Sequence, residues 1–226
     1  MTTSTVSRRK RQRGRPRRSD GEQTHAAILD AAVRLASVEG LSSLTIGRLA
    51  QELGVSKSGV FAHFRSKELL QQETVDAAGA IFQREVVEPG LAAPEGVGRL
   101  ASLCEAYLSY VERRVFPGGC FFAHLLAEYD ARTGPIHEEV VSMQRGWLGL
   151  LEQQIDIAQQ QGGLDSGLDA SRFAFELYAP LELANFLSML NRDAASVEQA
   201  RETIRAAIAR AGSVSSESDQ RMRLDG

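Results

Sequence analysis

Ile46-Gly-Arg-Leu-Ala-Gln-Glu-Leu-Gly-Val-Ser-Lys-Ser-Gly-Val-Phe-Ala-His-Phe64 is the stretch whose reading decides the fold. Leu49, Ala50 and Leu53 share one face of a short helix. Ala50 is small, so a second helix can cross it closely. Gly54 follows where the chain must turn, and a residue without Cβ takes positive φ there at little cost. Val55 fills the angle, and Ser56 offers a hydroxyl to cap the next helix. Val60 then packs back on the first helix. The spacing predicts two helices crossing at ~90–120° through a tight turn. Lys57, Ser58, Ala62 and His63 face outward. The second helix is about two turns long, too short to stabilise itself and too polar to be an internal strut. A helix meant to protrude into a groove ~12 Å wide needs this form, and the major groove of duplex DNA is such a groove.

Outward from this hairpin the apolar spacing is helical throughout, and β-type alternation is hard to find. The chain reads as all-α, with about nine helices. A helix over about 21–38 buries Ile28, Leu29, Ala32, Val33, Leu35 and Ala36, and Gly40 ends it. Ser66 opens a longer helix over about 67–87. Residues 20–87 thus form a three-helix head with a connecting helix. Residues 88–98, with two prolines and three glycines, read as a linker. Five more helices, near 98–115, 118–131, 135–161, 169–191 and 194–211, make a helical body over 98–212. In the third of these, Ile136, Val140, Met143, Trp147, Leu151, Ile155 and Ala158 form one stripe. Pro180 is expected to kink the fourth. Residues 1–19 read as a disordered basic arm and 213–226 as a flexible tail.

The net charge of −3 conceals an asymmetry. Residues 1–20 carry eight basic side chains and one acid, whereas the remainder carries 18 basic and 28 acidic side chains. One end is built to meet a polyanion. Within the arm, Gly14-Arg15-Pro16-Arg17 looks like an AT-hook core, in which Arg15 and Arg17 would follow the minor groove. The alternative reading of the same run is a polycation that adds sequence-independent affinity by releasing counterions.

Across residues 24–70 the chain resembles the tetracycline-repressor (TetR) family of transcriptional regulators. The likeness is carried by Ile28-Leu-Asp-Ala-Ala32, by Thr45-Ile-Gly-Arg-Leu-Ala50, and by Gly54-Val-Ser-Lys-Ser-Gly-Val-Phe-Ala-His-Phe-Arg-Ser-Lys-Glu-Leu-Leu70. The resemblance implies that Thr45 meets a phosphate, that Lys57 and Ser58 face base edges beside Ser56, and that Phe61 and His63 lie against the DNA backbone. It also implies that Lys67 clamps a phosphate at a helix N-terminus. Position 61 is commonly tyrosine in that family; phenylalanine keeps the packing and loses the hydroxyl. The family further implies a homodimer on an operator, and a body that binds a small-molecule effector.

Two apolar stripes are the expected dimer interface: Phe173, Leu177 and Leu181 on one helix, and Val197, Ile204 and Ile208 on the last. Residues that join bulk to a polar tip are the expected effector contacts, namely Tyr107, Phe121, His124, Glu128, Trp147, Tyr178, Glu182 and Asn185. Cys104 reads as a core residue, and Cys120, at a helix start, has the position of a favoured thiolate. His137-Glu138-Glu139 and Asp165–Asp169 have too few ligands at usable spacing for a metal. No nucleophile elbow, phosphate-binding glycine loop or H-E-x-x-H motif is present, so neither an enzyme nor a cofactor is expected. No apolar run approaches a membrane span, and the basic N-terminus lacks a secretory h-region, which together suggest the cytoplasm. The competing class is an architectural DNA-binding protein that uses its arm and senses nothing.

Overall fold

The computed structural model describes the backbone of residues 17–224 and the side chains of residues 21–212. The arm residue Arg15 and the side chain of Arg17 lie outside the described residues. Among those described, the chain is all-helical: α1 (Arg17–Glu39), α2 (Ile46–Leu53), α3 (Lys57–Phe64), α4 (Lys67–Phe82), α5 (Glu88–Leu91), α6 (Val97–Glu112), α7 (Phe121–Tyr129), α8 (Pro135–Gln160), α9 (Ala170–Asn191) and α10 (Ala195–Leu224). No helix searched is long and apolar enough to cross a membrane.

The head forms as its spacing requires. Thr45, Ser56 and Ser66 cap α2, α3 and α4, each side chain accepting a backbone N–H three residues on. Gly54 takes φ 65°, and the Val55 N–H donates to the Ala50 carbonyl at 3.0 Å. Leu49, Ala50, Val60 and Phe64 are buried against α1 and α4. Each of the larger ones contributes about 1.5–3 kcal/mol through burial.

The stretch expected to be a linker is largely helical. A π-helical turn, Gln83–Val87, carries α4 directly into α5. Pro89 stands directly after that π-helical turn, at the start of α5. Gly90 is there for close packing and not for flexibility: a Cβ on it would lie 2.4 Å from Leu103 Cδ2. Only residues 92–96 form a connecting loop. At the other end α10 runs on to Leu224, through the segment read as a tail; no proline and no glycine interrupts residues 213–224. α1 likewise begins at Arg17, directly after Pro16.

In the body α6 and α8–α10 pack around one apolar core with α7 closing a side. The stripes expected at a dimer interface face inward. Phe173, Leu177, Leu181, Val197, Ile204 and Ile208 are all buried within the protomer, because α9 and α10 pack on each other and on α6. The exposed side of α9 is also apolar, with Phe175, Leu183, Phe186 and Leu190 all largely uncovered. α9 is helical through Pro180.

Candidate functional site

α3 presents Lys57, Ser58, Phe61 and Ala62 to solvent. Phe61 is 53% exposed, an unusual position for a phenylalanine unless a surface is to cover it. Ser56 Oγ accepts the Gly59 N–H at 3.2 Å and lies 3.1 Å from Ser58 Oγ. His63 is only half-exposed and faces α1, its ring 5.7 Å from that of His25, which in turn stacks on Phe64. Thr45 Oγ1 is engaged as the α2 cap with the Arg48 N–H at 3.0 Å. The Arg48 guanidinium is held by Glu39 and Glu52. That pairing holds the Glu39 carboxyl below its ordinary value.

Lys67 is placed differently from the expectation of a free phosphate clamp. Its Nζ donates to the Ser42 carbonyl at 2.8 Å. The turn between α1 and α2 is in fact clasped from two sides. From α4, Lys67 takes the Ser42 carbonyl, and Gln71 Nε2 donates to the Leu41 carbonyl at 2.6 Å. From α7, the Glu128 carboxylate accepts the N–H of Leu41 at 2.8 Å and of Ser42 at 2.7 Å. Gly40, at φ +84°, makes room for that carboxylate, since a Cβ there would lie 3.1 Å from Glu128 Oε2. Close by, Gly118 sits on the end of α1. Its N–H donates to Ser37 Oγ at 3.3 Å, and a Cβ would fall 1.8 Å from the Ser37 carbonyl oxygen.

A cavity of about 260 Å³ lies in the body between α4, α6, α7, α8 and α9. Four of the eight expected contacts line it: Tyr107, Trp147, Tyr178 and Glu182. The Tyr107 hydroxyl donates to Glu182 Oε1 at 3.0 Å, and Tyr178 bonds to the same carboxylate. Burial raises the Glu182 carboxyl above its ordinary value, while the two tyrosine bonds lower it.

The other four are placed elsewhere. Phe121 is buried behind the wall against Phe116 and Phe122. His124 stacks on Phe186 at 5.6 Å, and burial lowers its pKa. Glu128 is spent on the α1–α2 turn. Asn185 Oδ1 accepts the Cys120 N–H at 2.7 Å. Phe82, Phe122, Leu126 and Met143, all on the cavity wall, were not among the expected contacts. They carry no polar tip, so in sequence they look like any core residue.

Cys120 does line the cavity, but burial pushes its thiol up, which removes the thiolate its helix-start position suggested. Cys104 is fully buried and pushed up to about 12. Asp169 caps α9 through the Arg172 N–H, and Asp165 Oδ1 accepts the Gly167 N–H, so both acids of that loop serve the backbone.

Comparison with known proteins agrees with this layout. Residues 28–74 match the family described as bacterial regulatory proteins, tetR family, and residues 96–204 match the tetracyclin repressor-like C-terminal domain. The chain belongs to the TetR family of bacterial regulators. It is 36% identical over 59 residues to the HTH-type transcriptional regulator AcrR of Shigella flexneri, a stretch that covers 26% of this chain and 27% of that protein. The match thus spans about a quarter of that relative. A TetR transcriptional regulator from Chloroflexus aurantiacus superposes with a TM-score of 0.78 at 23% identity, over 84% of this chain and 96% of that one. AibR, solved with isovaleryl coenzyme A and operator DNA, superposes at 0.62 with 20% identity, over 79% and 94%.

Proposed function

We propose that this regulator binds a palindromic DNA operator as a homodimer, represses transcription there, and is released when a small molecule fills the body cavity. The observation that carries this reading is the position of α7. Leu126 of α7 lies on the cavity wall, and Glu128, two residues on, holds the turn that feeds α2 and α3. α4 runs in parallel, with Lys67 on that turn and Phe82 on the cavity. An occupant that displaces either helix therefore acts on the head directly. Coupling of ~1–3 kcal/mol per effector is ordinary for such a switch.

Lys57, Ser58 and Phe61 are the groups offered to DNA, with Lys57 on base edges or phosphate and Phe61 packed on the sugar-phosphate backbone. Lys67 joins them through the helix N-terminus it occupies, in exchange for Ser42. The exposed apolar face of α9, with Phe175, Leu183 and Leu190, supports a two-fold bundle of α9 and α10 from each protomer. Two heads so joined suit half-sites about 34 Å apart. AibR, held with both a thioester ligand and operator DNA, supports the same pairing of sites in a protein of this fold.

Selection of bound duplexes from a random pool at physiological salt tests the proposal. An inverted repeat supports it. An A·T-rich pool without a dyad overturns it in favour of an architectural role for the arm.

A further inference from the structure

The cavity states more about its occupant than its size. Its described lining contains one carboxyl group, that of Glu182, and no lysine, arginine or histidine. Around that carboxylate stand the rings of Phe82, Tyr107, Phe122, Trp147 and Tyr178. Phe82 meets Trp147 at 85° with centroids 5.5 Å apart, and Tyr107 at 68° and 6.3 Å. Rings set steeply to one another offer faces, not only edges, to the space they bound. An aromatic face attracts a cation through its quadrupole, most strongly where water is excluded.

Each class of ligand fares differently here. An anion meets a carboxylate with no base to offset it. A neutral apolar molecule leaves Glu182 buried beside it without a counter-charge, which low-dielectric surroundings penalise. A cation gains both the carboxylate and the ring faces. The Tyr107 and Tyr178 hydroxyls hold the carboxylate in place from one side.

We propose that the cavity binds a compact monovalent organic cation, a substituted ammonium, with its charge between Glu182 and the rings of Phe82, Tyr107, Trp147 and Tyr178. This rests on the reading that the body cavity is the effector site, and names the class of effector.

Trp147 is the sole tryptophan of the chain, so its fluorescence reports occupancy of this cavity and no other. The full-length protein, without DNA, is titrated with benzyltrimethylammonium, with its uncharged carbon isostere neopentylbenzene, and with the anion 3-phenylpropionate. The cation is expected to bind at least tenfold more tightly than the isostere, and the anion to give no saturable change. Glu182→Gln is expected to reduce affinity for the cation at least tenfold and to leave that for the isostere unchanged or raise it. An isostere or anion that binds as well as the cation overturns the proposal, and so does a Gln variant that keeps the preference. The ranking of the three probes on the unaltered protein decides the matter even if the variant does not fold. Failure of the regulatory reading is separable: a protein that ranks the probes as expected but selects no operator leaves the ligand class standing.

Discussion

The Glu128 carboxylate accepts the backbone N–H of Ser42 at 2.7 Å, so a helix that walls the cavity also grips the turn from which the DNA-facing helices start. Removing that carboxylate strands two partly buried amide donors, Leu41 and Ser42. Glu128→Ala is expected to cost about 3 kcal/mol, or roughly 6–12 °C in Tm. Glu128→Gln keeps one acceptor oxygen and should lose about half as much. Thermal melts of the three proteins check this; equal Tm values would sink the role given to Glu128.

The two lysines at the head should separate cleanly. Lys57 is exposed, so Lys57→Ala is expected to weaken operator binding about tenfold, close to 1.4 kcal/mol, with Tm unchanged. Lys67 also holds the Ser42 carbonyl, so Lys67→Ala is expected to lower Tm as well as affinity. Fluorescence anisotropy on the selected duplex, read beside melts, distinguishes them. If Lys57 meets phosphate, its loss also reduces the salt slope by about 1.

Gly118 leaves no room for a methyl group, since the obstacle is the Ser37 backbone and not a side chain that could swing away. Gly118→Ala is expected to cost about 3 kcal/mol or more through overpacking, or to prevent folding. Gly146, with open space where a Cβ would go, is the control: Gly146→Ala should be harmless or mildly stabilising within its helix. Chemical denaturation midpoints for both report the difference.

The exposed face of α9 predicts its own test. Leu183→Glu is expected to convert the proposed dimer to monomer in light scattering with the helical signal intact, because Leu183 touches little of its own protomer. Leu181→Glu, on the buried side, is expected to unfold the chain instead. A Leu183→Glu protein that stays dimeric would place the interface elsewhere.

Glu182 has a pH signature. Burial raises its folded pKa, so it contributes stability below the ordinary glutamate value of about 4.3, and that contribution is lost as pH rises through the folded pKa. Glu182→Gln in the empty protein should therefore match the wild type near pH 4 and melt higher at neutral pH. Each kcal/mol relieved raises Tm by about 2–4 °C in a chain of this length. Parallel melts at the two pH values give the answer; a variant less stable at neutral pH contradicts the cost assigned to the buried carboxylate.

The head was legible because its information is local. Ala50, Gly54, Ser56 and Val60 lie within one turn-and-helix unit, and their sizes and cap chemistry dictate its geometry. The fold class followed from apolar spacing alone. The direction of α9 did not, because both its faces are apolar, and Leu177 and Leu183 look alike until packing shows which side α10 covers. A quarter of the cavity lining was readable from side chains with polar tips, Tyr107, Trp147, Tyr178 and Glu182. Phe82 and Met143 were not, since a cavity wall and a filled core use the same residues. Lys67 was assigned to phosphate from the family resemblance, and Glu128 to ligand for its polar tip. The Glu128 bond to Ser42, 86 residues away, depends on how body meets head, and the Lys67 bond, 25 residues away, on how α4 packs beside the α1–α2 turn.

Gly118 on Ser37, Glu128 on Ser42, and a further bond from Gln72 of α4 to Glu139 of α8 stitch the two halves of the chain at separate points. The DNA-reading unit is consequently not a cassette. Grafted onto a foreign body, it would arrive with its first turn unlatched, the Leu41 and Ser42 amides seeking an acceptor that the new host does not supply. On the proposed reading, specificity is changed by altering side chains on α3 and not by transplanting the head whole.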